Sequence, residues 1–470
     1  MAHGSHGLAP RPPKQISRVA HNGSARVPKI FMSSPHSPSV SFSTLPALTG
    51  AAAQRPLARR TVDSRSAWPQ SALAQTAPII ALCHLSWDWV WQRPQQYLSR
   101  FARTHRVLFV ETYCSDVPAT RVDLRSADGY PNVTICAMHL PASRWSDGNY
   151  IDRERRRALQ RTLAHQLHGQ FDDAILWFND PMAVTAFAGH LDESLIVYDC
   201  MDELSQFKGA PPALLERERD LLQVADVVFC GGRKMRDRRL RFNSNSHFFG
   251  TGVDTRHFGS ALSTKSVVPT ELAELGGPVL GYFGVVDERI DYDLLAALAD
   301  ADPKWHVVMI GPFCKVDPAQ FPQRPNLHWL GGRPYADLPA FTKGFSVALM
   351  PFALNEATEY INPTKALEYM AAGRPVVSTA LDEVKSNFSS VARIAKSHDE
   401  FIALCRREIV SPSHTRIARG LRLAAENTWE ANVEKMETHI AHAFIERRDA
   451  TAAAEPASVV PFVGNQTAYV

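Results

Sequence analysis

Three polar side chains that could bind a nucleotide, Thr364, Lys365 and Glu368, lie close together in a short predicted helix. Thr364 and Lys365 are predicted in the first turn, where free N–H groups and the helix dipole favour an anion such as phosphate. Glu368 follows Thr364 by four residues, so both lie on one helix face. A carboxylate accepts hydrogen bonds from two vicinal hydroxyls, so a ribose linked to that phosphate would lie near Glu368. An ordinary amphipathic helix would explain the same residues.

The flanking residues predict where this helix begins and ends. Asn362 can cap its N-terminus, and Pro363 suits the first turn because its missing N–H is not needed there. Gly373 suits the left-handed position just past the C-terminus, and the apolar run 376–379 then predicts a buried strand. The pattern is that of a helix leading into a parallel strand.

The same stretch resembles the nucleotide-sugar signature of GT-B glycosyltransferases. It contains P-x-K-x-x-E-Y-M-A-x-G-x-P-V-V, which is similar to the pattern of glycosyltransferase families 4 and 1, the bacterial polysaccharide type. The resemblance implies that Thr364, Lys365 and Glu368 bind the donor. The family commonly has a second glutamate eight residues earlier. Here that position is Tyr360, and Glu359 is one residue out of register.

A second part of the donor site is implied after the predicted strand 279–284. Gly284 would allow the backbone to approach a phosphate. In the family this loop usually has an Arg and a Lys that bind the diphosphate; Arg289 matches the second, and Val285 replaces the first. The leaving diphosphate would then be stabilised by Arg289, Lys365 and helix dipoles, with no metal. The D-x-D sequence that begins at Asp291 is predicted to cap a helix.

The loop after the predicted strand 79–83 is the candidate acceptor site. It contains His84, Trp87, Asp88 and Arg93, which offer aromatic faces and polar groups suited to carbohydrate. Such loops lie where Rossmann-like sheets bind ligands. The W-D-x-x-W-Q-R-P pattern is also similar to a subset of bacterial glycosyltransferases. The alternative is that the tryptophans pack beneath the loop.

Asp202 is the candidate catalytic base. It follows the predicted strand 195–198, and a carboxylate at the C-terminal end of a strand is well placed to reach an acceptor hydroxyl. The position resembles that of the catalytic aspartate in some inverting GT-B enzymes. Asp199, His84 and Asp88 are competitors, and a helix cap or turn is the structural alternative. The sequence leaves open whether the anomeric centre inverts.

Composition narrows the class of protein. The chain has 470 residues and 45% apolar residues, which predicts two or three globular domains. The seven cysteines form no C-x-x-C pair, so reduced thiols and a cytoplasmic location are expected. Residues 1–75 have a net charge of +8, which leaves −5 for the rest of a chain whose total is +3. Basic charge confined to a tail argues against nucleic-acid binding by the folded body.

A run of arginines marks the predicted helix 152–169. A solvated helix face is the simpler interpretation. The alternative is peripheral contact with an anionic membrane at the inner face of the plasma membrane, which would suit a lipid-linked acceptor.

Alternating strands and helices predict the α/β class, with two Rossmann-like domains that face each other across a cleft in the GT-B arrangement. The predicted segments are a disordered basic extension (1–75), an acceptor domain (76–260), a nucleotide-sugar domain (277–430), a closing helix (431–448) and a disordered tail (449–470).

The function implied by the resemblance is metal-independent transfer of a hexose from a nucleotide-sugar, a UDP-sugar in particular. The acceptor is a hydroxyl of a glycan or lipid-linked glycan precursor, and no cofactor is expected. Two alternatives remain at this stage. One is a GT-B epimerase or hydrolase of UDP-sugars, and the other is a non-catalytic nucleotide-sugar-binding subunit.

Overall fold

The computed structural model describes residues 76–207, 209–314, 316–359, 361 and 364–454. The predicted extension 1–75, most of the predicted tail, and the predicted helix cap at Asn362 and Pro363 lie outside the described residues.

The first domain is built on an eight-stranded sheet of spatial order β3-β4-β2-β1-β5-β6-β7-β8. All neighbours pair in parallel except β3 and β4, an antiparallel pair at one edge that the apolar pattern did not reveal. The strands are β1 Ile79–Leu82, β2 Val107–Ser115, β3 Arg121–Ala127, β4 Tyr130–Pro141, β5 Ile175–Phe178, β6 Leu195–Cys200, β7 Val227–Cys230 and β8 Ser246–Phe248.

The second domain has a six-stranded, fully parallel sheet of order β11-β10-β9-β12-β13-β14. Its central strands are short apolar runs buried on both faces, as expected for a parallel sheet covered by helices. The strands are β9 Val279–Phe283, β10 His306–Ile310, β11 Leu327–Trp329, β12 Val347–Met350, β13 Val376–Thr379 and β14 Arg393–Ala395.

Helices cover both sheets and connect their parallel strands. In the first domain they are α1 Arg93–Phe101, α2 Gly148–His165, α3 Val184–Phe187, α4 Leu214–Val224 and α5 Arg233–Arg239. In the rest of the chain they are α6 Thr255–Gly259, α7 Thr270–Ala273, α8 Tyr292–Ala301, α9 Leu338–Lys343, α10 Lys365–Ala371, α11 Asp382–Phe388, α12 His398–Val410, α13 His414–Glu426 and α14 Trp429–Ala454.

Strand order places two loops at ligand-binding positions. The chain leaves β1 in one direction and returns to its other side with β5; in the second sheet it leaves β9 for β10 and returns with β12. At such switch points the loops beyond the strand C-termini diverge and leave a crevice. The loop after β1 and the loop after β9 are the two segments in which the sequence predicted acceptor and donor residues.

The last helix, α14, crosses back onto the first domain. Trp429 at its start is fully buried, and its ring lies edge-on to Tyr97 of α1, with 5.0 Å between ring centroids. Val433, Met436 and Ile440 join the same apolar cluster as β1. The two domains are therefore connected both by the chain near residue 250 and by α14.

Two predicted boundaries differ from the structure. The segment between the two predicted domains, residues 261–276, contains short helices, and Leu272 of α7 is buried in the second core. The predicted tail begins too early, since α14 continues through residues 449–454. In both places a few apolar or helix-forming residues within a polar stretch are enough to form a helix.

Trp429→Ala should destabilise the protein by about 3–5 kcal/mol, because it removes a fully buried indole and leaves a cavity against Tyr97. Urea unfolding followed by circular dichroism measures this loss. Ile445→Ala, on the same helix but exposed, is the matched control and should change stability by less than about 1 kcal/mol. Equal losses in the two variants would contradict the docking of α14 through Trp429.

Candidate active site

A cleft of about 680 Å³ separates the two domains. The loop after β1 and the residues after β6 line its first-domain side. The loop after β9, the residues after β10 and the start of α10 line the opposite side. Of the predicted donor residues, Gly284, Arg289, Thr364, Lys365 and Glu368 all line this cleft.

Lys365 crosses over Gly284 at the floor of the cleft. A Cβ at Gly284 would overlap the Lys365 side chain and lie 2.7 Å from its Nζ, and the φ of Gly284, +141°, also disfavours other residues. Gly311 after β10 is similarly confined, since a Cβ there would overlap the Gly284 carbonyl. Burial lowers the pKa of Lys365, partly opposed by Glu368. The two glycines thus allow an ammonium group to lie directly against the backbone after β9.

Glu368 is a buried carboxylate on the wall of the cleft. Its side chain is 8% exposed, and within the described part of the chain no donor forms a hydrogen bond to it. Burial raises its pKa to about 7, and the Lys365 charge opposes this rise. Thr364 occupies the N-cap position rather than the first turn, and Glu368 lies one turn further along α10. The predicted spatial relation of the two residues therefore holds.

Arg289 is paired within its own loop. Its Nε and one Nη donate to the carboxylate of Asp287, a buried residue whose role the sequence analysis missed. The guanidinium lies 5.5 Å from the ring centroid of Phe207, which belongs to the first domain. Asp287 therefore fixes Arg289 at the domain boundary, and the Nη1 group is not engaged by this carboxylate.

Asp202 faces the donor side from the first domain. It lies two residues beyond β6, is partly exposed and lines the cleft. Its charge helps to raise the pKa of Arg289 and opposes the lowering of the pKa of Lys365 by burial. This geometry places a first-domain carboxylate opposite two second-domain cations. Asp199, a competitor for the role of base, is fully buried and bonded to Arg93.

The prediction that Arg93 contacts the acceptor needs correction. Its Nε and one Nη donate to Asp199, and the other Nη donates to the carbonyls of Phe249 and Gly250. Arg93 lines the cleft wall, but its hydrogen-bonding groups are directed into the protein. It therefore positions the loop after β1 against β6 and the domain junction.

The other predicted acceptor residues differ in accessibility. Trp87 is 3% exposed and packs edge-on against Trp91, Phe109 and Tyr130, so the alternative of a packed tryptophan is correct for this residue. His84 bonds the Asn179 carbonyl and is not among the cleft-lining residues.

Asp88 lines the cleft with its side chain 67% exposed and forms an ion pair with Arg125. Of the four predicted acceptor residues, it alone presents an accessible polar group to the cleft.

An aromatic surface at the mouth of the cleft was missed by the sequence analysis. The rings of Trp91 and Tyr130 are stacked with centroids 5.5 Å apart, and both line the cleft with Tyr335 of the second domain. Gln96 of α1 donates to the Tyr335 hydroxyl at 3.2 Å, which connects the two domains. The W-D-x-x-W-Q-R-P motif contained Trp91, but only the fold brings Tyr130 and Tyr335 to it.

Two residues flagged in the sequence have structural roles. Asp291 accepts a hydrogen bond from the Leu294 N–H and caps α8, as predicted. Glu359 lies outside the cleft and pairs with Lys234 of α5, so it does not replace the missing family glutamate. Among the described residues no group of three or more His, Cys, Asp or Glu side chains is arranged to hold a metal ion.

Few arginines of helix α2 are available to contact a membrane surface. Arg155 is buried beside Asp180, Arg156 donates to the carbonyls of Thr185 and Ala186, and Arg157 pairs with Glu154. Arg153 and Arg161 remain exposed. In the part of the chain that is described, no helix has the length and apolar character needed to cross a membrane.

Comparison with known proteins agrees with this arrangement. Residues 277–403 match the family model "Glycosyl transferases group 1". A putative teichuronic acid biosynthesis glycosyltransferase, TuaH of Bacillus subtilis, is 25% identical over 206 residues, which are 40% of this chain and 50% of TuaH. The chain thus spans half the length of this curated relative.

Solved structures resemble nearly the whole two-domain body. The E. coli trehalose-6-phosphate structure bound with UDP-2-fluoro glucose has a TM-score of 0.57 at 14% identity, covering 78% of this chain and 99% of its own. Sucrose-phosphate synthase from Thermosynechococcus elongatus has a TM-score of 0.57 at 14% identity, covering 80% and 100%. Anabaena HepE in complex with UDP and glucose has a TM-score of 0.56 at 12% identity, covering 79% and 99%.

The fold is therefore GT-B, as predicted: two parallel-sheet α/β domains that face each other across a cleft. The resemblance to group 1 glycosyltransferases is confirmed, and the family match lies in the domain that contains Gly284, Lys365 and Glu368.

The free energy of unfolding should fall as the pH rises from about 4.5 to about 7, because of Glu368. Its pKa of about 7 in the folded protein exceeds the ordinary value of 4.5, so the folded state holds a proton that the unfolded state has released. Stability is lost as that proton leaves, on the order of 3 kcal/mol in all. Urea unfolding of wild type and Glu368→Gln across this range isolates the effect.

Glu426→Gln, an exposed change on α13, serves as the control for this measurement and should leave the pH profile unchanged. Parallel profiles for wild type and Glu368→Gln would show that Glu368 has no raised pKa.

Proposed function

We propose that this protein is a glycosyltransferase that transfers a hexose from a UDP-sugar to a hydroxyl of a surface-glycan precursor, without a metal ion. The main support is Glu368, a buried carboxylate that faces the cleft one helical turn from Lys365 and receives no hydrogen bond from the residues that the structure describes. The family match over residues 277–403 and the nucleotide-bound structural neighbours support the same class of substrate.

The donor would bind against the second domain. Glu368 would accept hydrogen bonds from the two ribose hydroxyls, which supply donors that the described part of the chain does not offer to this carboxylate. Lys365 and the backbone at Gly284 would contact the diphosphate, and Arg289 would approach it from the other side. Each of these groups would stabilise the negative charge that develops on the leaving diphosphate as the glycosidic bond breaks.

The acceptor would enter from the first domain. Trp91 and Tyr130 offer aromatic surface at the cleft mouth, and Asp88 offers an accessible carboxylate. Asp202 would remove the proton from the attacking hydroxyl, since it faces the cations that would hold the diphosphate. A glycan or lipid-linked precursor is supported by the likeness to TuaH. A cytoplasmic location, with peripheral membrane contact through Arg153 and Arg161, stays a prediction.

UDP binding tests the donor site directly. Lys365→Ala and Glu368→Ala should each weaken UDP binding at least tenfold in isothermal titration calorimetry. Each variant removes a charge-assisted hydrogen bond, worth about 1.5–3 kcal/mol. GDP and dTDP measured beside UDP would identify the preferred base.

Lys385→Ala is the matched control for the donor-site variants, because this lysine is half-exposed on the same domain and pairs with Asp382. It should bind UDP as wild type does. A folded wild-type protein that binds no nucleotide would overturn the proposal, and so would unchanged UDP affinity in both donor-site variants.

Asp202→Asn should lower kcat for sugar transfer by about 10²–10⁴ and change the dissociation constant of UDP less than threefold, because the amide cannot accept the acceptor proton. The assay is UDP release from the preferred donor, using the precursor that wild type accepts in a screen of lipid-linked glycans. Asp88→Asn is the comparison at the other accessible cleft carboxylate. Full transfer activity in Asp202→Asn would exclude this residue as the base.

A further inference from the structure

A second cavity, of about 530 Å³, lies between the domains next to the cleft. The buried residue Thr251 lines both cavities, so only the domain junction separates them. We call this space the junction cavity. Its walls are Arg233, Arg236, His247, Phe248, Phe249, Gly250, Thr251, Leu367, Asn387, Phe388, Leu423, Asn427, Asn432, Lys435 and His439.

The charged lining of the junction cavity is entirely basic. Arg233 and Arg236 come from α5 and Lys435 from α14, and no described Asp or Glu is part of the wall. Arg236 donates through Nε and one Nη to Asp237, which is not one of the wall residues. Arg233 bonds the Asn387 amide oxygen, a neutral partner, at 3.3 Å. Lys435 has no ion-pair partner within the described part of the chain. The positive charge is therefore incompletely compensated.

Two stacked histidines form part of this wall. The rings of His247 and His439 are stacked with centroids 3.7 Å apart. Burial, followed by the charges of His439 and Arg236, lowers the pKa of His247 to about 4. Burial also lowers the pKa of His439. The Nε2–H of His247 donates to the Asn245 amide oxygen at 2.7 Å, so a neutral His247 presents only the acceptor Nδ1 to the cavity, and of the two rings only His439 can offer an N–H to a ligand.

We propose that the junction cavity binds a small anion whose charge is carried by phosphate groups and whose size is that of a diphosphate. Two guanidinium groups and one ammonium line it, and although Arg236 shares its charge with Asp237, the net charge of the wall is positive and attracts a diphosphate. Guanidinium donors also suit phosphate oxygens geometrically. The cavity volume falls within the range of about 300–1,000 Å³ typical of small-molecule sites.

The position of the cavity gives such a ligand contacts with both domains. Arg233 and Arg236 belong to the first domain, Asn387 to the second, and Lys435 to the helix that crosses between them. A bound anion would therefore favour the relative domain position seen here, because it binds only where all three elements meet. This proposal does not depend on the proposed function, since none of these side chains lies in the donor cleft.

Calorimetry with inorganic pyrophosphate tests the junction cavity. The full chain with Lys365→Ala is used, so that the donor cleft is impaired. We expect this protein to bind one pyrophosphate. The triple variant that combines Lys365→Ala with Arg236→Gln and Lys435→Gln should bind pyrophosphate at least tenfold more weakly than Lys365→Ala alone. Orthophosphate at equal ionic strength should bind at least tenfold more weakly than pyrophosphate.

The matched control adds Arg241→Gln and Lys385→Gln to Lys365→Ala; both positions are solvent-exposed and outside the cavity. It has the same net charge and should bind pyrophosphate as Lys365→Ala does. If the variant with Arg236→Gln and Lys435→Gln does not fold, Arg233→Gln is introduced into Lys365→Ala in its place. Absence of pyrophosphate binding by folded Lys365→Ala, equal loss in the matched control, or orthophosphate binding as tight as that of pyrophosphate would each overturn the proposal.

Discussion

The second-domain side of the cleft depends on the close approach of three chain segments at the C-terminal edge of the second sheet. Gly284 after β9, Gly311 after β10 and Lys365 of α10 lie so close that a Cβ on either glycine would overlap a neighbour. This contact sets how far α10 advances over the sheet, and it thereby sets the position of Glu368. Tyr369, on the inner face of α10, fixes the same helix from below, because its hydroxyl accepts a hydrogen bond from the Phe283 N–H at the end of β9.

The first domain uses a buried ion pair for a comparable purpose. Arg93 and Asp199 are almost completely removed from solvent, and the arginine also donates to backbone carbonyls at residues 249 and 250. Such a pair is costly to desolvate and is weak evidence of net stabilisation. Its geometric effect is clear, because one guanidinium joins α1, β6 and the domain junction. The loop after β1, the residues after β6 that include Asp202, and the entry to the second domain are consequently held in one arrangement.

The proposed donor half of the cleft was predictable from sequence because its residues are close together in the chain. Thr364, Lys365 and Glu368 lie on one helix, and helical periodicity alone gives their relation; Gly284 and Arg289 follow one strand. The acceptor half depends on side-chain direction, which periodicity does not give. Whether Arg93 points into the cleft or into the protein depends on Asp199, 106 residues away. The aromatic mouth was unpredictable for the same reason, since Trp91, Tyr130 and Tyr335 are brought together by two sheets and a domain boundary.

Burying the Glu368 carboxylate is costly in free energy, and the same position suits it to bind a ligand. Burial makes the Glu368 carboxylate expensive to keep ionised, since no described residue donates a hydrogen bond to it, and its raised pKa expresses that cost. An apolar residue of similar volume would pack at this position without the penalty. The Lys365 ammonium compensates only in part, and it too is disfavoured by burial. Two charged groups that are each costly to bury at this position are best explained by a ligand that forms hydrogen bonds with both. Hydroxyl donors suit the carboxylate, and phosphate oxygens suit the ammonium. A nucleoside diphosphate contains both in one molecule, at a spacing of about one helical turn.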